Sequence, residues 1–460
     1  MAEVLGEFVS GFDLKTDQNS DALIEKARRH VLDGIGVALA SHTMEDGYAD
    51  RLAAHVRSQK SAPQCVLIGY ADRAAAPLAA LLNGSLIHGC EFDDRFLPRV
   101  VHTESFGVPV ALAIGEQRGL DGWALLEGWV VAAEVAIRLA LGCNEGGING
   151  NGFHTTSIFG TVGAAASASK LMGLDAEQTA RAMALSVSFA SGTTEGWNDG
   201  SGRNKSIQPG WAAMSGMMAA QMAGAGYDCS LSTIDGERGL LAAYSWKHGW
   251  TPDPVVEGLG EEWKCEEIAF KIFPAGGSRH NVIECTRQLV FEHDIKPEEV
   301  EKIDVIVASQ YNDMFDRSYQ KSFRPASGYN MHGSWPCNIA RMIISRYIGP
   351  EHLTMKAMQE PGFYEMADKV TCHPGTEMDY AGEERPTEVT IQTTRGTFAK
   401  TLRLSAGRPE TVTRDDIVEK FRRNARLVLS EERVEAIADA LTGAEQPGNV
   451  KDLAALLTVE

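Results

Sequence analysis

Apolar residues recur along roughly the first 250 positions with the period of an α-helix. In DALIEKARRHVLDGIGVALA, Leu23, Ala27, Val31, Ile35 and Leu39 fall at every fourth position, which predicts a helix with one apolar stripe. DAEQTARAMALSVSFA opens with Asp175 and Gln178 at capping-box spacing, so a second helix is expected to start there. GTVGAAASASKLMG and GWAAMSGMMAAQMAGAG are rich in Gly, Ala and Ser, residues small enough for helices to approach closely. The latter helix is expected to begin near Pro209, because proline suits a first helical turn.

The period changes near residue 267. KIDVIVAS alternates Ile303, Val305 and Val307, as a half-buried strand does. TEVTIQTTRGTFAKTLRL reads as a hairpin turning at Arg395-Gly396, with Val389 and Ile391 on one face and Leu402 and Leu404 in the return strand. Helical patterns, GSRHNVIECTRQLVFEH and SWPCNIARMIISRYI, lie among these strands. TRDDIVEKFRRNARLVL and SEERVEAIADALTGA follow them as helices. The pattern predicts a mainly α protein: an all-helical domain from 1–266 completed by 406–460, and a smaller α+β domain over 267–405. A chain of 460 residues has room for two or three domains of about 150 residues each.

Composition narrows the function classes. A net charge of −19 leaves no general basic face for a nucleic-acid backbone, although a local basic pocket for a small anion is compatible with it. The N-terminal stretch lacks the pattern of a signal or transit peptide. The most apolar run, WVVAAEVAIRLALGC, is interrupted by Glu134 and Arg138 and is too short to span a bilayer, so no membrane partner is expected. Eight cysteines with no CxxC pair predict reduced thiols and a cytoplasmic location. The absence of CxxC and HxxxH pairs gives no compact metal or cluster ligand set. GINGNGFH lacks the preceding strand and third glycine of a dinucleotide fingerprint, and there is no GxSxG elbow.

Four segments carry candidate chemistry. EFDDRFLPRVVH spans residues 91–102. As a helix ended by Pro98 it would hold Glu91 and Arg95 as an i,i+4 ion pair of about 0.3–0.5 kcal/mol. Its flanks, AAPLAALLNGSLIHGC and FGVPVALAIGE, are apolar, and a charged loop held between buried helices lines a cavity. NGFHTTSIFGTVG sets His154 among Gly and Thr residues just ahead of a helix, where a ligand can approach the backbone. DGSGRNKSIQPGWAA and FKIFPAGGSRH place Lys205 and Lys271 on loops ahead of apolar helices, with Arg279 and His280 at the second helix start; both lysines are candidates for carboxylate binding.

Together these segments resemble the MmgE/PrpD family, which includes 2-methylcitrate dehydratase, cis-aconitate decarboxylase and iminodisuccinate epimerase. EFDDRFLPRVVH is similar to its acidic DFDD-type stretch followed by a histidine. GFHTTSIFG, DGSGRNKSIQPGWAA and KIFPAGGSRH are similar to its GFHxT, DGSxxKxxxPGWAA and K-x-[FY]-P…H segments, in the same order. The resemblance implies a large helical domain, a smaller α+β lid, a homodimer, an active site in the cleft between domains, and chemistry beside a substrate carboxylate without a cofactor. It implies that Lys205 and Lys271 neutralise carboxylates, that His102 and His154 move protons, and that the acidic cluster with Asp93 orients a histidine or shares its proton.

Glu91, Asp94, Arg95, Gln208, His280 and Cys337 are the expected substrate-binding positions. Several depart from the family pattern: Glu91 replaces Asp, Arg95 replaces Thr or Ser, Gln208 replaces His, and Cys337 stands where a tyrosine is frequent. Ala275, Gly276 and Gly277 replace a small polar or cysteine-rich run. Arg95 adds a planar cation suited to a carboxylate or phosphate-like group. The expectation is a cofactor-independent lyase, dehydratase or decarboxylase in type, acting on a small polycarboxylate. The alternatives are an epimerase or isomerase using the same proton abstraction, and a non-catalytic carboxylate binder, which Gln208 and Arg95 motivate.

Overall fold

The computed structural model describes residues 1–144, 148, 150–198, 203–311, 323–380, 384–443 and 448–459. The DGS of DGSGRNK falls outside the described residues.

The predicted stripe forms the Ser20–Ala40 helix, and Leu23, Ala27, Val31, Ile35 and Leu39 are all fully buried. The helix is covered on more than its stripe, since it packs against the Ala76–Ile87, Gly122–Gly142 and Arg414–Ala425 helices. Lys26, His30 and Asp33 are therefore buried too and must find partners. The capping box forms as expected: Asp175 accepts from the Gln178 amide at 2.8 Å, and Gln178 Oε1 accepts from the Asp175 amide at 3.2 Å.

The small-residue segments form the Thr155–Met172 and Asn204–Gly224 helices, which lie against each other. A side chain at Gly216 would overlap the Thr161 carbonyl, so the glycine sets how closely the two backbones pass. The expected start at Pro209 is corrected. The helix begins at Asn204 and carries Pro209 inside it, which places Lys205 in the first turn. Proline in the second turn removes the one i→i−4 bond its amide would have made to the Lys205 carbonyl.

The expected strands form a four-stranded sheet. With β1 (Cys65–Val66) and β2 (Arg73–Ala74) forming a separate short ribbon, the sheet comprises β3 (Val300–Ala308), β4 (Val370–Gly375), β5 (Glu384–Thr393) and β6 (Gly396–Leu404) in the order β4-β3-β5-β6. β3 runs parallel to β4 and antiparallel to β5, and β5 and β6 are the predicted hairpin. Ile303, Val305, Val389 and Ile391 are fully buried, whereas Leu404 is exposed. The His280–Glu292 helix covers β5 and β6, and the Trp335–Ser345 helix packs on it. The protein is mainly α with a smaller α+β region.

The Arg414–Ala425 helix, opened by a Thr413–Asp416 capping box, packs along Ser20–Ala40 with Phe421 pressed against Gly36. It delivers Lys420, whose ammonium donates to Asp33 Oδ2 at 2.8 Å, the Phe92 carbonyl at 2.6 Å and the Lys271 carbonyl at 2.9 Å. One cation thus ties together two of the candidate segments. Among the described residues no helix is long and apolar enough to cross a membrane, and all eight cysteines are free thiols.

Candidate active site

The Ala76–Ile87 helix ends on His88, and the chain then forms an irregular loop before the Glu104–Arg118 helix. Of the two readings of EFDDR, the loop between buried helices forms and the helix with a Glu91–Arg95 ion pair does not: Glu91 has φ +56° and the segment is not helical. A non-glycine residue at positive φ is strained and needs its surroundings to hold it. Here that support comes from buried cations. Glu91 is 1% exposed; it is paired with Lys205 through Oε1 and with Lys271 through Oε2 at 3.1 Å, and Tyr329 donates its hydroxyl to Oε1 at 3.2 Å. Burial opposes its charge, but the two ammonium groups hold it well below the usual carboxylate range.

Two adjacent acids then point in different directions. Asp93 enters the cluster: Oδ1 accepts from Lys271 at 3.1 Å and Oδ2 from His88 Nδ1 at 2.6 Å, with His102 Nδ1 3.7 Å from Oδ1. Despite burial, Lys271 and the imidazoles keep it ionised. Asp94 turns away to the start of the Glu104–Arg118 helix, where it accepts from the Thr103 amide at 2.9 Å, the Thr103 hydroxyl and the Glu104 amide at 3.1 Å. Burial and the Asp93 charge push its carboxyl up to about 7. Its contacts are those of a helix anchor.

Three imidazoles gather here, with ring centroids 4.9 Å apart for His88–His102 and 5.6 Å for His88–His154. Their tautomers follow from their partners. His102 Nδ1 lies 2.6 Å from the Asp94 carbonyl, which can only accept, so Nδ1 carries the hydrogen and Nε2 the lone pair. His154 Nδ1 lies 2.7 Å from Gln208 Oε1. The Gln208 amide is fixed because its nitrogen donates to the Thr193 carbonyl at 2.9 Å. His154 Nδ1 is therefore the donor. His88 donates to Asp93, and its buried Nε2 has no partner among the described residues.

Burial, reinforced for His102 by Lys271 and His88 and for His154 by His88 and Lys205, holds both histidines well below pH 6.5. They are neutral at pH 7 and able to accept a proton. Since a general base must be unprotonated, the acid limb of kcat/KM is expected well below pH 6.5. A rate profile between pH 5 and 8 checks this, and a limb centred at 6.5 or above contradicts it.

The lysines differ. Against burial, Asp93 and Glu91 raise Lys271 above an ordinary lysine, so it is a fixed cation. Lys205 is lowered by burial and by the Lys271 charge, despite its pairing with Glu91. Gln208, expected at the substrate, accepts from His154 Nδ1 and so fixes that ring. Gln208→Leu should lower kcat about 10–100-fold, the usual range for loss of an orienting partner, with little change in Tm.

The other expected positions lie outside this cluster. His280 donates from Nε2 to the Ala275 carbonyl at 3.2 Å, and burial with the nearby Lys271 lowers it to about 3. Cys337 sits in the first turn of Trp335–Ser345, surrounded by Ser334, Arg324, Asp368 and Arg341, and burial pushes its thiol up to about 11. Arg95 points into a neighbouring cavity. His88, Tyr329, His332 and Lys420 were not singled out in the sequence. His332 donates from Nδ1 to the Tyr329 carbonyl at 2.6 Å and is lowered to about 4 by burial, with Glu91 opposing.

His88, Asp93 and His102 offer ligand atoms within 4.8 Å of one another. The Lys271 ammonium already neutralises the Asp93 carboxylate, and a divalent ion there would face it, so the set suits an ammonium better than a metal. His30, Asp94 and Glu104 form a second such group. Its His30–Glu104 pair, 2.7 Å apart, is packed between Trp129 and Phe270, with the imidazole pushed down and the carboxyl up by burial. It is a neutral hydrogen-bonded pair of the core.

The profile of the MmgE/PrpD N-terminal domain matches residues 3–253 and that of the MmgE/PrpD C-terminal domain residues 273–444. The chain belongs to the MmgE/PrpD family. Among MmgE/PrpD proteins it is 25% identical to a cis-aconitate decarboxylase-like protein of Aspergillus oryzae, over 97% of this chain and 95% of the relative. It is 26% identical to the cis-aconitate decarboxylase of Homo sapiens, over 97% and 92% of the two chains. It is 22% identical to that of Aspergillus terreus, over 97% and 94%. At these identities the resemblance runs the length of the chain.

Proposed function

We propose that this MmgE/PrpD protein is a cofactor-independent lyase acting on a small polycarboxylate, by proton transfer next to a carboxylate. The observation that carries the reading is the buried set of two ammonium groups and the neutral imidazoles of His102 and His154, whose Nδ1 atoms are both engaged, which leaves Nε2 as the basic atom of each. The names of the relatives above support it. Lys205 and Lys271 neutralise the substrate carboxylate, so that charge developing on the adjacent carbon passes into an enolate-like group. His102, with Asp93 beside it, takes the proton from that carbon. In a dehydration the electron pair forms the alkene as the β-oxygen leaves, carrying away the proton that His102 Nε2 has taken from carbon. In a decarboxylation the C–C bond breaks, CO2 leaves, and the carbon that keeps the electrons takes a proton that a histidine Nε2 relays from solvent.

A panel of di- and tricarboxylates, cis-aconitate among them, assayed for released CO2 and for alkene formation or loss tests this. Neither product from any member sinks the lyase reading. One observation favours an epimerase or isomerase as the second reading: two separately anchored histidines, each with a basic Nε2, are what proton removal and return on opposite faces requires.

The same proposal includes a homodimer. Ile207, Trp211 and Met218 stand exposed along one side of the Asn204–Gly224 helix, at 40%, 46% and 37%. A sedimentation mass near 49.8 kDa rather than twice that contradicts it. It also includes the division into 1–266 with 406–460 and 267–405, and a cytoplasmic location suited to eight free thiols.

A further inference from the structure

Beside the histidine cluster, between the helices and the α+β region, lies a cavity of about 230 Å3. Its wall contains three guanidinium groups, Arg95, Arg99 and Arg385, together with Tyr311 and Tyr380, and no Asp or Glu among the described residues. In a chain of net charge −19, three cations grouped without a carboxylate among the described lining residues are a local departure from the overall charge.

Arg95 is the central member. Its backbone is pinned by a two-way bridge to Ala269, with hydrogen bonds of 2.8 and 2.9 Å. Its Nε is buried and has no protein partner among the described residues, a costly arrangement for a charged donor unless something else accepts from it. The guanidinium lies against Gly277 so closely that a Cβ there would overlap it. Opposite, Tyr311 and Tyr380 share a hydroxyl contact of 2.6 Å, and Arg385 stacks on Tyr380 at 4.5 Å.

The cavity shares its wall with the cluster. Arg95 is two residues past Asp93, and Val100 is two residues before His102. The Val100 carbonyl accepts from Thr155 at 2.8 Å, next to His154. Two residues span at most about 7 Å. The volume is below the ~300–1,000 Å3 of a pocket that holds a whole drug-sized ligand, and so suits one charged group.

We infer that this cavity is a second anion subsite, built for a carboxylate or phosphate-sized oxyanion. Planar guanidinium groups bind such oxygens in pairs. The occupant is either the distal carboxylate of the substrate or a free oxyanion. The inference rests on the carboxylate reading of the neighbouring site, but its test reads binding rather than turnover. A catalytically silent protein can therefore still pass it.

The test is calorimetric titration of the full chain with tricarballylate, succinate and inorganic phosphate. Arg95→Gln and Arg385→Gln are each expected to weaken tricarballylate or phosphate at least tenfold while changing succinate less than twofold. Gly277→Ala, which crowds Arg95 without removing its charge, is expected to act like Arg95→Gln and guards against a folding artefact in any one variant. Competition between phosphate and tricarballylate assigns the subsite to the substrate. Simultaneous binding, with only phosphate sensitive to the arginines, assigns it to a free oxyanion. The inference is overturned if all three variants bind both probes as wild type does, or if the wild type binds neither.

Discussion

Lys271→Met should abolish turnover and lower Tm by many degrees. The ammonium holds Glu91 at 3.1 Å and Asp93 at 3.1 Å, and all three side chains are at most 2% exposed. Removing one partner of a buried ion pair leaves an uncompensated charge, which destabilises by about 3–5 kcal/mol. Glu91 would keep Lys205 and Tyr329, and Asp93 would keep His88. Asp93 would then hold a proton more readily than in the unfolded chain. A folded-state pKa above the unfolded one gives stability that is lost as pH rises, so the variant should gain Tm relative to wild type as pH falls from 8 to 6. Thermal melts at several pH values check this. A Tm equal to that of wild type throughout would show that the buried carboxylates do not depend on this lysine.

His102→Gln tests the chemistry with less structural disturbance. Among the described residues the ring makes one hydrogen bond, to the Asp94 carbonyl, so the stability loss should be about 1 kcal/mol. If His102 is the base, kcat should fall about 10²–10⁴-fold. A fall of less than tenfold, with Tm preserved, would move the base to His154 or His88.

The parts of the fold governed by period were legible in the sequence. A fourfold apolar stripe became a buried helix, alternation became β3, and the capping box at Asp175 formed with both of its bonds. The convergence of the candidate site was legible where motifs carried it: Glu91, Asp93, His102, His154, Lys205 and Lys271 come together from four separate segments.

What escaped was set by backbone direction and by tertiary partners. A positive φ at a glutamate leaves no sign in composition, so the helix with a Glu91–Arg95 pair stayed open beside the cavity-lining loop until the backbone decided for the loop. Asp93 and Asp94 look equivalent in the sequence, yet one enters the cluster and its neighbour anchors a helix. His88 was hidden as a single polar residue ending an apolar run. Tyr329 and His332 lie in a short turn without periodicity. Lys420 acts on the Phe92 carbonyl from 328 residues away, a contact that only the packing of the C-terminal helix onto the N-terminal one creates.

The central claim is that neutral imidazole moves a proton on a carbon next to a carboxylate held by lysines. Incubation of the wild-type protein with di- and tricarboxylates in D2O, followed by NMR, tests it most directly. Deuterium should appear at a carbon adjacent to a carboxylate, together with CO2 or a changed alkene, and His102→Gln should slow both by the same factor. Exchange without either product would transfer the account to the epimerase. No exchange with any carboxylate shown to bind would contradict it.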